Sequence, residues 1–168
     1  MKTLKNKKGF TLVELLAVIV ILALIMAIAI YAISGVLNSS RQSVFKETAA
    51  SIVRGVKMQL TIANKVENGK YYFDASMLES GGTNPPFGGT YNFHSPADGE
   101  KIAGVTGVYK AADSTDSCTA TSESYVIINN TTGTHKICLT AGAGYRYIYG
   151  TEAEMLGSGT DMIKGGNS

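Results

Sequence analysis

Residues 7–33 read KKGFTLVELLAVIVILALIMAIAIYAI, and they constrain the fold more than any other segment. The last nineteen of them carry no charge, and a helix of about 19 residues can cross the hydrocarbon core of a bilayer. Four of the first eight residues are lysine, which predicts a cytoplasmic N-terminus. Glu14 lies just inside the apolar stretch, where an unpaired carboxylate costs about 3 kcal/mol in hydrocarbon. The segment therefore predicts a membrane helix whose acid needs a partner.

Two ordinary interpretations account for part of this segment. A secretory signal would take residues 15–26 as its apolar region and the small-x-small sequence Ala27-Ile28-Ala29 as its cleavage site. The apolar run continues past that site to Ile33, which is atypical of such a signal. A simple single-span anchor fits the length but leaves Glu14 without an explanation.

The sequence KKGFTLVELL at residues 7–16 resembles the class III leader junction of type IV pilins and pseudopilins. The resemblance covers about residues 1–60. In that family a dedicated membrane peptidase cuts after the glycine and methylates the new amine. The resemblance therefore implies cleavage between Gly9 and Phe10, N-methylation of Phe10, and a Glu14 carboxylate that faces the amine of a neighbouring subunit. Phe10 and Glu14 would be the assembly residues.

Elementary electrostatics agrees with this transfer. Cleavage after Gly9 would leave an ammonium four residues before Glu14, and both charges would lie in an apolar setting. Each is costly alone but tolerable when paired across subunits, and a buried polar pair can set the register between helices. Many family members carry a helix-bending proline where this chain has Tyr31. Gly35 is the one helix-weakening residue nearby, so the sequence leaves open whether the helix bends.

A second, amphipathic half follows the apolar half of the helix. No proline interrupts residues 10–64, and Asn68-Gly69 is a suitable end because glycine accepts a left-handed cap. Apolar and small residues recur at helical spacing and predict the buried stripe: Val36, Ser40, Val44, Thr48, Ile52, Val56, Leu60 and Ala63.

We expect an α+β, pilin-like fold, with a long N-terminal helix packed at its C-terminal half on a small antiparallel β-sheet. Residues 104–109, 124–129, 136–140 and 145–149 are the strand candidates, the last with Tyr145, Tyr147 and Tyr149 on one face. The predicted segments are a cleaved leader (1–9), a transmembrane and filament-core helix (10–35) and a globular head (36–168). The head divides into an amphipathic helix half (36–67), a loop (68–103), a sheet region (104–156) and a flexible tail (157–168).

Few residues of the head suggest chemistry. Cys118 and Cys138 lie 20 residues apart in an exported chain, so either a disulfide or two reduced thiols is possible. His94 and His135 are expected to be surface or loop residues. Asp113, Asp116 and Glu123 lack calcium-loop spacing and predict a solvated acidic loop. We expect no metal, no cofactor and no catalytic residue. The tyrosine face suggests an adhesive or sugar-binding surface, or a face packed on the helix or on the next subunit.

Composition narrows the functional classes. The formal charge is +2, but from residue 10 onward there are 11 basic against 13 acidic residues, which makes nucleic acid an unlikely partner. Charged residues make up only 17% of the chain, so wholesale disorder is not expected. The sequence contains no nucleophile elbow, Walker A loop or zinc-protease motif, so we do not expect an enzyme.

The resemblance implies a structural subunit, a major or minor pilin, of a bacterial surface filament that serves adhesion or twitching motility. Its partners would be copies of itself and other pilins, a prepilin peptidase, an inner-membrane platform protein and an assembly ATPase. It would be a single-pass inner-membrane protein before assembly and part of a cell-surface filament afterwards. The alternatives are a pseudopilin of a type II secretion or competence DNA-uptake machine, and a membrane-anchored adhesive module that never polymerises.

Overall fold

The computed structural model describes residues 11–78, 84–96, 101–157 and 162–165. They form α1 (Leu12–Ile62), β1 (Gly69–Phe73), β2 (Val108–Lys110), β3 (Tyr125–Ile128), β4 (Lys136–Thr140), β5 (Tyr147–Thr151), α2 (Glu152–Leu156) and β6 (Ile163–Lys164). The chain separates into two compact units, 1–40 and 41–168, and α1 contributes residues to both. The predicted α+β, pilin-like architecture is confirmed: a long N-terminal helix precedes a six-stranded antiparallel sheet.

The strand order in the sheet is β2-β1-β3-β4-β5-β6, and every neighbouring pair is antiparallel. The predicted strands β3 and β4 form a hairpin in which Tyr125 lies opposite Cys138. Strand β1 falls inside the segment predicted to be a loop (68–103), and that prediction was wrong for it. The run GKYYF alternates correctly, since Tyr71 and Phe73 are buried while Tyr72 is half-buried, but the punctuation further along the loop obscured the signal.

Helix α1 ends earlier than predicted, and Asn64 rather than Gly69 supplies the left-handed residue. Asn64 has φ 53°. The Asn64 amide donates to the Thr61 carbonyl at 3.0 Å, and the Lys65 amide donates to the Leu60 carbonyl at 2.8 Å. This pair of hydrogen bonds is the Schellman motif, which satisfies carbonyls that a helix end leaves unpaired. Gly69 is thereby free to open strand β1.

The amphipathic part of α1 buries a stripe against the core of the second unit, and the predicted stripe is only half right. Ile52, Val56 and Leu60 are fully buried as predicted, but Val36 and Val44 are mostly exposed. The predicted residues before Ile52 are spaced by four, and each such step turns 400°, so they drift 40° per step around the helix. The structure instead mixes steps of three and four and buries the following set: Phe45, Ala49, Ala50, Ile52, Val53, Val56 and Leu60.

The inner face of the sheet completes this core. Its largest fully buried side chains are Tyr71, Phe73, Ile128, Ile137, Leu139 and Ile148. Helix α2 was not predicted, although its start is a capping box in which Thr151 and Glu154 bond each other's backbone amides. Strand β6 lies within the predicted flexible tail and pairs with β5, so residues 163–164 are held in the sheet.

Candidate functional site

The first turn of α1 gives Glu14 a local structural role that the sequence analysis missed. The Thr11 amide and hydroxyl donate to Glu14 Oε2 at 2.8 and 2.9 Å, and the Glu14 amide donates to Thr11 Oγ1 at 3.3 Å. Thr11 is thus the N-cap and Glu14 the third helical residue of a capping box. The signal was present in the sequence as a threonine followed three residues later by a glutamate.

This capping box is compatible with both the predicted cleavage and the predicted charge pair. The Thr11 amide belongs to the Phe10–Thr11 peptide bond, so a cut between Gly9 and Phe10 leaves the box intact. The second carboxylate oxygen, Glu14 Oε1, makes no hydrogen bond within the described residues. Gly9 and Phe10 themselves lie outside the described residues.

The part of α1 in the first unit is apolar on every side. Large aliphatic side chains are exposed all round the helix from Leu12 to Leu37, and Tyr31 is 85% exposed. By length and composition α1 could cross a membrane, and its most apolar window has a mean hydropathy of 3.1. Because such a surface is unstable in water, it requires lipid or other apolar helices around it. α-Helical structure continues through Tyr31 and Gly35, so the helix has no break at the position where relatives carry proline.

Residues 4–30 match the family model for the prokaryotic N-terminal methylation motif. The chain carries a class III pilin leader. This leader is the one found on type IV pilins and pseudopilins, and it implies processing by a prepilin peptidase. No curated protein and no solved structure shows significant similarity to this chain. The class III leader therefore carries the functional assignment, together with the pilin-like fold.

The head holds a second group of interacting side chains, on the sheet face that points away from α1. Asp116 accepts hydrogen bonds from the Tyr149 hydroxyl at 2.7 Å, the Lys136 ammonium at 2.9 Å and the Tyr125 hydroxyl at 3.1 Å. Cys118, two residues further on, is joined by a disulfide to Cys138 of β4. We call Asp116 and its three donors the Asp116 cluster. The cluster and the disulfide hold the segment 111–124 across the sheet.

The charge of Asp116 is stabilised by its donors. Burial raises the pKa of Asp116, but the hydrogen bonds from Lys136, Tyr149 and Tyr125 outweigh burial and hold that pKa below its usual value. Burial and the nearby Asp116 charge both raise the pKa of Tyr125. The interpretation of Asp116 as part of a solvated acidic loop was therefore wrong: this acid is a structural acceptor.

We expect Asp116→Ala to lower the unfolding free energy by about 1–3 kcal/mol, because the buried Tyr125 hydroxyl loses its acceptor. The measurement is the urea midpoint of the detergent-solubilised chain, followed by tyrosine fluorescence. Thr115→Ala is the matched control, since that exposed neighbour makes no hydrogen bond within the described residues, and it should change stability by less than about 0.5 kcal/mol. Equal midpoints for the two variants would contradict the role assigned to Asp116.

The other two acids of the predicted acidic loop lie apart from Asp116. Asp113 pairs with Lys70 at 3.3 Å, and Glu123 pairs with His94 Nδ1 at 2.8 Å. Lys70 Nζ also lies 4.5 Å from the centre of the Tyr125 ring, which is a cation–π distance. Within the described residues no three acids, histidines or cysteines are grouped as metal ligands.

The two histidines differ from the prediction of exposed side chains. His94 stacks on Tyr72 with 4.3 Å between ring centres. His135 is 7% exposed, and its Nδ1 accepts a hydrogen bond from the Asn129 amide at 3.4 Å. Burial and the nearby charge of Lys57 lower the pKa of His135, although Glu152 acts in the opposite direction. The hairpin turn between β3 and β4 thus depends on a neutral imidazole.

We expect the head to lose stability as the pH falls from about 6.5 towards the lowered pKa of His135. The unfolded chain takes up a proton near pH 6.5, whereas the folded chain resists it, so the unfolded state gains free energy in that window. His135→Gln should remove this slope. Urea midpoints at pH 7.5 and 5.5 test the difference between the two chains, and His94 cancels because both contain it. Parallel pH profiles would contradict the assignment.

The tyrosine strand is confirmed, and its two faces are now distinguished. Ile148 and Gly150 are buried towards the core, whereas Tyr147 and Tyr149 lie on the opposite face. Tyr145 precedes β5 and is 45% exposed. Tyr149 is occupied by the Asp116 cluster. The tyrosines therefore do not pack on α1, as one of the predicted alternatives had it.

Proposed function

We propose that this chain is a structural subunit, a major or minor pilin, of a type IV pilus-like surface filament. The class III leader is the observation that carries the proposal. In this account the peptidase cuts between Gly9 and Phe10, Phe10 is N-methylated, and the processed chain leaves the inner membrane by entering a filament through its apolar helix. Adhesion or motility would then be properties of the filament.

Two features of the described residues support this proposal. The first is the helix surface from Leu12 to Leu37, which is apolar all round and has no partner within the first unit. Equivalent helices of other subunits can replace the lipid around it during assembly, because both surroundings are apolar. The second is Glu14, whose Oε2 caps its own helix while Oε1 is directed to no described residue. One carboxylate can therefore cap its helix and accept an ammonium from a neighbour at the same time.

The experiment is fractionation of the native cells into a sheared surface fraction, a membrane fraction and the medium. We expect the processed chain in the sheared fraction as filaments that an antibody to the head decorates under the electron microscope. Gly9→Val should block leader removal because the peptidase must approach this backbone closely, and the chain should stay in the membrane. A matched control, Gly133→Ala, changes an exposed hairpin turn of the head and should leave processing unchanged.

The same fractions separate the alternatives. A membrane-anchored adhesive module stays in the membrane fraction whether or not the leader can be removed. A secreted protein released after Ala29 appears in the medium and lacks Phe10. A pseudopilin gives itself away when its deletion stops protein secretion or DNA uptake while surface filaments of other pilins persist.

A further inference from the structure

The largest cleft in the described part of the head lies beside the end of α1 and has a volume of about 480 Å³. On one side are Lys65 and Glu67, which follow the helix. On the other side are Lys101 and Lys110, the second of which ends β2, the edge strand of the sheet. This volume is in the range of sites that take small molecules, about 300–1,000 Å³.

The charges on the described lining are unbalanced. Glu67 is already paired with Lys110, and each holds the pKa of the other in its charged range: Lys110 lowers the pKa of Glu67, and Glu67 raises that of Lys110. Lys65 and Lys101 are exposed and form no hydrogen bond or ion pair within the described residues. Three ammonium groups against one carboxylate leave the described lining with two positive charges. Asp98 and Glu100 precede Lys101 in the chain but lie outside the described residues.

The remaining walls are apolar and small. The buried Tyr71 ring lies at the cleft, with its hydroxyl committed to the Glu67 carbonyl at 2.9 Å. The half-buried Ile102 and three alanines, Ala103, Ala111 and Ala112, complete the lining. A concave surface with apolar walls concentrates the field of the lysines, since less water screens it than on an open surface.

We propose that this cleft binds an organic anion that carries a phosphate or carboxylate group next to a small apolar group. Lys65 and Lys101 would contact the anionic group as charge-assisted donors, and Ile102 and Tyr71 would contact the apolar part. The Glu67–Lys110 pair keeps one side of the cleft neutral, which limits the ligand to one anionic group of low charge. This site is independent of the filament assignment, because no residue of the leader or of the apolar helix contributes to it.

The test is saturation-transfer NMR with phenyl phosphate and benzoate as probes, on the full chain in a zwitterionic detergent at low ionic strength. We expect at least one probe to bind, with at least about a tenfold loss of affinity in Lys65→Gln/Lys101→Gln. The matched control removes the same charge elsewhere: Arg54→Gln/Lys164→Gln changes two exposed cations that do not line the cleft. It should keep the affinity within about twofold.

Three results would overturn the proposal. The first is the absence of binding by both probes. The second is an equal loss in the two double variants, which would mean that net charge or the micelle retains the probes. The third is an affinity for inorganic phosphate equal to that for phenyl phosphate, because the apolar wall would then contribute nothing. Circular dichroism of each variant keeps a folding defect apart from a binding defect.

Discussion

Glu14→Ala is expected to abolish surface filaments of this chain, with a loss of at least about tenfold in the sheared fraction. The substitution removes the carboxylate that would pair with the amine of a neighbouring Phe10, and an unpaired ammonium buried among apolar helices is costly. Leader removal should persist, because the cut lies between Gly9 and Phe10. Quantitative blotting of the sheared and membrane fractions measures both effects at once.

The capping box makes a sharper control possible. Glu14→Gln keeps an acceptor for the Thr11 amide, since glutamine also serves at this position of a capping box, but it removes the charge. If the ammonium pair controls assembly, Glu14→Gln should fail like Glu14→Ala. If helix capping alone matters, Glu14→Gln should assemble normally, and that result would contradict the pairing. Glu47→Gln, at an exposed acid on α1 in the second unit, should assemble like the wild type.

Loss of the disulfide is the second large effect that we expect. Cys118→Ala/Cys138→Ala should lower the unfolding free energy of the head by about 3 kcal/mol, because a cross-link between residues 20 apart restricts the unfolded chain. The folded state should persist, since the Asp116 cluster still holds the segment 111–124 to the sheet. The measurement is the urea midpoint of the detergent-solubilised chain with and without a reductant.

A reductant provides the internal control for that experiment. It should lower the midpoint of the wild type to that of the double variant and leave the double variant unchanged. Two free thiols in protein purified from its own cells, detected by alkylation without prior reduction, would contradict the cross-link. Alanine is preferred to serine at Cys138 because this fully buried position would otherwise hold an unpaired hydroxyl.

The N-terminal half could be predicted because its signals are local. Continuous hydrophobicity, four lysines and a single acid all lie within the first 33 residues, and the capping box is readable as Thr11 and Glu14. The hairpin of β3 and β4 was predictable for the same reason, since alternation and a polar turn are adjacent in the chain. Local patterns of this kind do not depend on distant residues.

The missed features depend on contacts between distant residues. Strand β1 is a strand because β2 and β3 flank it, and β2 lies some 35 residues further along the chain. Asp116 acquires its role from Tyr149, which is 33 residues away, and no sequence pattern links the two. His135 is buried because α1 and α2 bring Lys57 and Glu152 near it. Tertiary context decides such residues, and a single sequence does not display that context.

The most direct test of the central claim is the mass of the N-terminal peptide of the mature protein from its own cells. The account predicts a chain that begins at Phe10 and carries one methyl group on its α-amine. A chain that still begins at Met1, or one that begins at Ile30 after a conventional signal-peptide cut, would contradict processing as a pilin. Either of these results would leave an anchored or secreted head domain without a route into a filament.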